Sequence, residues 1–266
     1  MKQISILGCG WLGFPLAKQL VKKGYSVKGS TTTGSKLELL EKEGISPFLI
    51  SLKADGIQDD TVPFLENSEL LIINIPPGLG RNPDERFATK MERFIPFIEK
   101  SSVKKVIFVS STSVYADENN LVTEETFPKP ETESGKQLVV VEKLFSENKN
   151  FQTTILRFGG LIDENRHPVK FLAGKRTVKN PEAPINLIHH SDCIKIILKV
   201  IEKKAWNTVF NAVAPFHPTR KKYYTEKALE FGLVPPQFDE NQSSVGKTVS
   251  SDKLIRLLNY QFKKLG

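Results

Sequence analysis

The feature that most restricts the fold is a glycine-rich hexapeptide, GCGWLG, at residues 8–13. It follows the apolar run QISIL at 3–7, and the next segment carries apolar residues at helical spacing. The pattern G-x-G-x-x-G between a strand and a helix is typical of a turn that binds the pyrophosphate of a dinucleotide. Gly8 is predicted to make the tight turn, Gly10 to admit the pyrophosphate, and Gly13 to allow close packing of the helix.

Two more residues of this turn are candidates for contact with the dinucleotide. Trp11 and Leu12 lie at the start of the predicted helix, where free backbone N–H groups and the helix dipole favour phosphate. A glycine-rich turn without a ligand is the alternative interpretation. Cys9, inside the turn, is interpreted as a small filler rather than a redox thiol.

Short apolar runs alternate with helical segments, which predicts a parallel sheet covered by helices on both faces. Strands are predicted at 3–7, 25–29, 47–52, 69–75, 105–110, 153–158, 186–190 and 207–213, and helices after residue 12, at 35–44, 85–100, around 133–145, 191–204 and 223–232. The fold class is therefore α/β: a Rossmann-type doubly wound parallel sheet with a small C-terminal substrate lobe. Within one domain, 1–266, the nucleotide-binding part would span about 1–160 and 184–214, and the lobe about 161–183 and 215–266.

The residues after the second predicted strand indicate which dinucleotide to expect. An acidic residue there would bind the ribose hydroxyls of NAD, but GSTTTGSK at 29–36 contains no Asp or Glu. The hydroxyls of Thr31, Thr32 and Thr33 and the ammonium group of Lys36 suit a 2′-phosphate. This predicts NADP(H) in preference to NAD(H). The alternative is that the threonines cap a helix and the lysine is only solvated.

Charge and cysteine usage limit the other partners. Lys and Arg exceed Asp and Glu by 38 − 30 = 8, but the basic residues are scattered, and only 220–222 forms a triplet. We therefore expect no nucleic-acid partner, with binding through the basic surface as the weaker alternative. Cys9 and Cys193 have no metal-ligand spacing, so no metal site is predicted. The longest apolar run, at 70–73, is too short to span a membrane, and strand-like sequence from Gln3 leaves no room for a leader, which predicts a cytoplasmic protein.

The stretch VIFVSSTSVYADENNLVTEET, at 106–126, resembles the extended short-chain dehydrogenase/reductases, a branch that includes nucleotide-sugar epimerases and dehydratases. The resemblance continues through PKPETESGKQLVVVEKLF, ILRFGGLI, INLIHHSDC and KTVSSDKLIRLL, and covers most of the chain. It implies a small-molecule substrate, with a nucleotide-sugar as one candidate. It also implies that Ser111 orients the substrate and that Ser113 supplies a helper hydroxyl, whereas turn chemistry alone is the alternative. Pro76, directly after one predicted strand, and Ser110, the last residue of another, are further cofactor-binding candidates.

The chain departs from the family pattern at two places. Leu7 stands where the first glycine of the usual G-x-x-G-x-x-G would fall. The remaining G-x-G-x-x-G resembles the loop of an atypical, epimerase-like subgroup of the family. The Tyr-x-x-x-Lys pair of the family aligns with Ser134 and Leu138. In the family, the lysine lowers the pKa of the tyrosine, and a serine hydroxyl is a much weaker acid than such a tyrosine. Lys136 is no substitute for that lysine, because residues two apart on a helix point in different directions. Ser134 itself, Tyr115 or a water would have to donate the proton, although Tyr115 could instead pack under the sheet edge.

The loop-rich segment at 160–176 contains the substrate-binding candidates Arg166, His167 and Lys175. Family members contact nucleotide substrates there, and solvation of a loop is the alternative for Arg166 and Lys175. Two functions stay open: an NAD(P)-dependent oxidoreductase or epimerase, and a dinucleotide-binding sensor or scaffold without turnover. The family commonly dimerises through the helix at 133–145, so a monomer or a homodimer is expected.

Overall fold

The computed structural model of the protein describes residues 3–53, 60–78 and 86–265. Its strands are β1 (Gln3–Leu7), β2 (Ser26–Thr31), β3 (Ser46–Leu49), β4 (Leu70–Ile73), β5 (Lys105–Ser111), β6 (Asn120–Val122), β7 (Gln152–Phe158), β8 (Gly160–Ile162), β9 (Leu187–His189), β10 (Thr208–Ala212) and β11 (Lys247–Val249). Its helices are α1 (Gly13–Lys22), α2 (Leu37–Lys42), α3 (Thr61–Leu65), α4 (Phe87–Glu99), α5 (Glu133–Ser146), α6 (Val169–Leu172), α7 (His190–Lys203), α8 (Arg220–Glu230) and α9 (Asp252–Leu258). Single 3₁₀ turns lie at Gly34–Lys36 and Thr112–Val114.

A seven-stranded parallel sheet forms the centre of the fold, in the order β10-β7-β5-β4-β1-β2-β3. The chain proceeds from β1 outward to β3 and then returns to β4 on the other side of β1. In doubly wound sheets, ligands bind in the crevice at the carboxyl ends of the strands where this reversal occurs. The predicted fold class is confirmed, and the glycine loop lies at this reversal point.

Apolar residues alternate across the central strands and build a core layer on each face of the sheet. In β4, Leu70 and Ile72 pack with α1 and α7, whereas Leu71 and Ile73 pack with α4 and α5. All four side chains are fully buried. A strand buried on both faces reads as a continuous apolar run, which explains why this strand could be predicted from the sequence.

The short strands β6, β8 and β11 and the short helix α6 were not predicted. The strands β6 and β11 pair with each other, β8 pairs with β9, and α6 has only four residues. Elements of three or four residues carry too little periodicity to be recognised. Helix α8 begins at Arg220, three residues earlier than predicted, because the Thr219 hydroxyl accepts a hydrogen bond from the Lys222 N–H at 3.3 Å.

A third apolar cluster lies apart from the two layers of the sheet, around Val169, Leu187 and Tyr223. Residue 85, the first residue of the helix predicted at 85–100, lies outside the described residues, and α4 begins at Phe87. In the part of the chain that the structure describes, no helix has the length and apolarity needed to cross a bilayer.

Candidate functional site

The three glycines of the loop have different surroundings. Gly8 has a φ of 100°, which residues with side chains rarely adopt, and a Cβ there would lie 2.6 Å from the Asn74 carbonyl oxygen. A Cβ on Gly13 would collide with the carbonyl oxygen of Gly8. A Cβ on Gly10 would meet no atom within 4 Å. Gly8 and Gly13 are therefore required by packing, whereas Gly10 borders open space.

Neighbouring strands hold the glycine loop in place. The N–H of Gly8 donates to the Ser30 hydroxyl at 2.9 Å, and the N–H of Cys9 donates to the Ser30 carbonyl at 2.7 Å. From the other side, the Asn74 amide donates to the carbonyl of Gly8 at 3.3 Å. Burial raises the pKa of the Cys9 thiol to about 12, so it stays protonated near neutral pH. This favours the interpretation of Cys9 as a filler.

A cavity of about 510 Å³ lies beside the glycine loop. We call it the glycine-loop cavity, and its lining includes Gly8, Gly10, Thr31, Thr32, Thr33, Lys36, Ser51, Leu52, Asn74, Pro76, Phe87 and Lys90. It brings together seven of the predicted cofactor-binding residues, whereas Trp11, Leu12, Gly13 and Ser110 do not line it. Asn74 was missed, although its place immediately after β4, at the carboxyl edge of the sheet, is a signal that could have found it.

The threonines of the cavity differ in their contacts. Thr31 is buried, and its hydroxyl accepts a hydrogen bond from the Thr33 N–H at 3.1 Å. Thr33 precedes the 3₁₀ turn without making a side-chain cap, and Thr32 is exposed. Lys36 ends the same turn with an exposed side chain. The capping alternative therefore does not account for Thr33, and two hydroxyls and one ammonium group stand at the rim.

Trp11 connects the glycine loop to a distant loop, at 163–166. Its indole N–H donates to the Asp163 carboxylate at 2.9 Å, and the Arg166 guanidinium lies 5.0 Å from the centre of its ring. On the other side, the His190 ring lies 4.1 Å from the indole, and its Nε2 is 2.9 Å from the Trp11 carbonyl oxygen. Arg166 is thereby placed at the start of α1, beside the glycine loop.

The serine-rich turn after β5 contacts the start of α5. The Ser111 hydroxyl accepts from the Ser113 N–H at 3.1 Å, and the Thr132 hydroxyl accepts from the Gly135 N–H at 3.0 Å, which begins the helix. A Cβ on Gly135 would collide with the Ser113 carbonyl oxygen, so glycine permits this close approach. Ser134, which immediately precedes Gly135, is half-buried. The structure thus brings Ser111, Ser113 and Ser134 to one region.

Leu138, the position predicted to align with the family lysine, lies in the core. Leu138 is only 3% exposed and packs in the cluster that contains Val114 and Val141. Lys136 is exposed on another face of α5. A lysine at position 138 would therefore have to desolvate its charge, which lowers the pKa of an amine.

Tyr115 lies in a buried polar network. Its hydroxyl oxygen accepts from Arg157 Nη1 at 2.6 Å and is within donating distance of Asn211 Oδ1, at 2.9 Å, and of the Thr123 carbonyl, at 3.0 Å. The residue is 2% exposed, and burial raises the pKa of its phenol. A proton donor needs access to the substrate and a pKa near neutrality. The geometry of Tyr115 therefore favours the packing alternative.

The same network contains a buried ion pair. Arg157 Nη2 lies 2.5 Å from Glu142 Oε2, and both side chains are 6% exposed. Burial alone would lower the pKa of Arg157, but the hydrogen bonds and charge of Glu142 outweigh burial and raise it. The Ser110 hydroxyl donates to Glu142 Oε1 at 2.6 Å. Ser110, a predicted cofactor-binding residue, therefore turns its hydroxyl to this carboxylate.

The predicted substrate-binding residues have three different surroundings. His167 is buried, its Nε2 lies 3.0 Å from the Tyr223 hydroxyl, and burial lowers the pKa of its imidazole. Lys175 is exposed, and Arg166 covers Trp11. Across 3–53, 60–78 and 86–265, no group of three or more His, Cys, Asp or Glu residues is placed to hold a metal ion.

Comparison with curated proteins found a full-length relative. The chain is 32% identical over 265 residues to Protein YeeZ of Escherichia coli strain K12. The aligned region covers 99% of this chain and 96% of that protein. The search of protein-family models found no match.

Solved structures share the fold at low sequence identity. UDP-glucuronic acid 4-epimerase from Bacillus cereus, in complex with NAD, aligns with a TM-score of 0.81 and 17% identity over 98% of this chain and 92% of that one. UDP-glucose 4-epimerase from Thermotoga maritima, with UDP-glucose, aligns with a TM-score of 0.81 and 18% identity over 99% and 94%. A short-chain dehydrogenase/reductase superfamily protein from Agrobacterium tumefaciens, with bound NAD, aligns with a TM-score of 0.80 and 16% identity over 98% and 93%.

Proposed function

We infer the function of this chain from its family: it belongs to the short-chain dehydrogenase/reductase superfamily, in the epimerase/dehydratase-like branch, and to the same family as YeeZ. We propose that it binds a nicotinamide dinucleotide in the glycine-loop cavity. The observation that carries the proposal is the open space at Gly10. Packing requires glycine at Gly8 and Gly13 on either side of it, whereas no protein atom fills the space at Gly10. That space, at the N-terminus of α1, suits the approach of a pyrophosphate.

The proposed cofactor is NADP(H) in preference to NAD(H). The N–H groups of Gly10, Trp11 and Leu12 would hold the pyrophosphate, and the threonines with Lys36 would hold the phosphorylated ribose. The rim of the cavity carries hydroxyls and an ammonium group. An adenosine 2′-phosphate needs hydrogen-bond donors and positive charge, whereas a ribose diol is usually held by a carboxylate.

We predict that Lys36→Ala weakens NADPH binding by roughly tenfold, or about 1.4 kcal/mol, and leaves NADH binding unchanged. Only NADPH carries the phosphate that the ammonium group would contact. Isothermal titration calorimetry with both dinucleotides measures the difference. Lys42→Ala, on the exposed face of α2 beside Glu38, removes the same charge and serves as the control. An equal loss for NADPH and NADH would contradict the proposed role of Lys36.

We predict that NADPH changes the fluorescence of Trp11, because this residue belongs to the glycine loop and its backbone N–H would contact the pyrophosphate. The chain has two tryptophans, so Trp206→Phe leaves Trp11 as the only one. The emission of this variant should change saturably with NADPH, at the affinity that calorimetry gives. The same titration of Trp206→Phe with Gly10→Val is the control and should show no saturable change.

For the chemistry, we propose an oxidoreductase or epimerase that acts on a small polar substrate, with a nucleotide-sugar as one candidate. Two of the similar structures are named for enzymes of UDP-sugars. A bound nicotinamide would supply hydride transfer. Ser111 would orient a carbonyl or hydroxyl group of the substrate, and Ser134 would be the nearest hydroxyl at the position of the family tyrosine. A serine is a weak acid, so turnover through Ser134 would be slow.

A second candidate function is a dinucleotide-binding sensor or scaffold without turnover. It is favoured by the burial of Leu138 in the core, at the position predicted for the family lysine. It is also favoured by the three partners of the Tyr115 hydroxyl, because they leave Tyr115 poorly placed to replace the family tyrosine as proton donor.

One series of measurements separates these functions. The protein, freed of carried-over nucleotide, is titrated with NADPH and NADH, and then assayed for turnover with UDP-sugars and small carbonyl compounds. Binding with turnover supports the enzyme, and binding without turnover on any of these supports the sensor or scaffold. If neither dinucleotide binds, both functions are rejected.

A further inference from the structure

A second cavity, of about 230 Å³, lies in the C-terminal part of the protein, at the first turn of α8. We call it the α8 pocket, and its lining includes Asp117, Ile185, Arg220, Tyr224, Val245 and Lys247. None of these residues lines the glycine-loop cavity. Two cationic side chains, those of Arg220 and Lys247, and the carboxylate of Asp117 line it. A small pocket with this charged lining suits a charged group on a small molecule.

Arg220 is the unusual member of the pocket. Its Nε is buried and donates to no acceptor, and within the described residues its guanidinium forms no ion pair. The Tyr224 ring supports the guanidinium at 5.6 Å. A buried N–H without an acceptor costs free energy, and most buried polar groups in proteins have a partner. The guanidinium is therefore placed to donate to something that enters the pocket.

Arg220 also lies in a strongly basic turn of the helix. Helix α8 has 11 residues, and its first turn carries Arg220, Lys221 and Lys222 and no acidic residue. Cations are unfavourable at the positive end of a helix dipole. Lys221 is paired with Glu240 at 2.5 Å, and in the pocket Lys247 is paired with Asp117 at 2.8 Å. Arg220 is thus the pocket cation with which no carboxylate of the described residues forms an ion pair.

The pocket is held in shape by backbone hydrogen bonds. The N–H of Arg220 donates to the Ala183 carbonyl at 2.9 Å, and the N–H of Ile185 donates to the Pro218 carbonyl at 3.0 Å. The side-chain amide of Asn186 donates to the Lys247 carbonyl at 2.7 Å. These bonds join α8, the segment before β9 and the start of β11. A preformed pocket loses little entropy when a ligand binds.

We propose that the α8 pocket binds an oxyanion, a phosphate or carboxylate group of a small molecule, with Arg220 as its main ligand. A guanidinium presents two parallel N–H groups that match either anion. Lys247 Nζ also donates to the Tyr115 carbonyl at 2.8 Å, two residues beyond Ser113, so the pocket adjoins the serine-rich turn. That this anion is a group of the substrate rests on the proposed function. That the pocket binds an oxyanion does not.

The test is a titration with inorganic phosphate and, separately, with acetate, at constant ionic strength and without dinucleotide. Nuclear magnetic resonance follows the Nε–H signal of Arg220, and the amide signals of Val245 and Gly246 report on the pocket in every variant. We expect a saturable shift of the Arg220 signal with at least one anion. Arg220→Gln should weaken the affinity for the anion, as read from the amide signals of Val245 and Gly246, by at least about tenfold. Lys222→Gln, which removes the same charge from the exposed side of the same turn, should not.

Each outcome decides the proposal. A shift with phosphate alone or with acetate alone supports it and selects the anion. If neither anion shifts the Arg220 signal, or if Arg220→Gln and Lys222→Gln bind equally, the proposal is overturned. Because the wild-type signal is read directly, a poorly folded Arg220→Gln does not prevent the decision. The affinity of Arg220→Gln for NADPH should match that of wild type. This titration therefore separates a failure of anion binding in the α8 pocket from a failure of dinucleotide binding in the glycine-loop cavity.

Discussion

Gly10→Val is expected to abolish dinucleotide binding while the protein keeps its fold. A Cβ at Gly10 meets no protein atom within 4 Å, so valine requires no change in the loop. The same side chain would project into the space that the pyrophosphate needs. We expect the affinity for NADPH and NADH to fall by at least about 100-fold, or about 2.8 kcal/mol, measured by calorimetry. The melting temperature should stay within a few degrees of wild type.

The matched control for this variant is Gly13→Val, the same substitution three residues later. A Cβ there collides with the carbonyl oxygen of Gly8, so the loop must move and the protein should lose stability. Thermal unfolding should thus separate the two variants, with only Gly13→Val melting well below wild type. Retention of dinucleotide affinity by Gly10→Val would remove the basis of the proposed function.

Arg157→Met is expected to be strongly destabilising, because it leaves the Glu142 carboxylate buried without its partner. The pair is bidentate, with Arg157 Nε 3.0 Å from Glu142 Oε1 and Nη2 2.5 Å from Oε2, and both side chains are 6% exposed. Removing one partner of a buried pair typically costs about 3–5 kcal/mol of unfolding free energy. Urea denaturation measures the loss. The hydroxyl of Tyr115 also loses its donor at 2.6 Å, which adds to the effect.

Two comparisons make this result specific. Arg157→Met with Glu142→Leu removes both charges and should recover much of the lost stability, because an apolar pair can replace a buried ion pair. Lys199→Ala breaks the exposed pair with Glu202, at 3.1 Å, and should cost less than about 1 kcal/mol. If Arg157→Met costs no more than Lys199→Ala, the buried pair contributes no net stability.

The fold could be predicted because its information is local. The three apolar residues of β1, the glycine loop and the apolar face of α1 follow one another in the sequence, and the βαβ pattern repeats. Parallel strands joined by helices have few possible arrangements, so alternation alone leads to a doubly wound sheet. The pairs β6 with β11 and β8 with β9 could not be predicted, because each joins short segments that are far apart in the chain.

The candidate site could be predicted only where a residue acts through the backbone or through its place at a strand end. The positions of Gly8, Gly10 and Gly13 follow from the motif, and the threonines follow from the end of β2. Tyr115 shows the limit of this reasoning. Its hydroxyl is held by Arg157 and Asn211, which lie 42 and 96 residues further along the chain, so its burial has no signal in its own segment.

The sequence by itself therefore determined the parallel sheet and the glycine loop, and it predicts that Ser134 and Leu138 stand where the resembled family has its Tyr-x-x-x-Lys pair. Only the tertiary structure decided that Leu138 faces the core, that Arg166 covers Trp11, and that the Arg220 guanidinium lines a pocket without a counter-ion in the described residues. The physical reason is that local periodicity specifies which elements form. The environment of a single side chain depends on partners that only long-range packing brings to it.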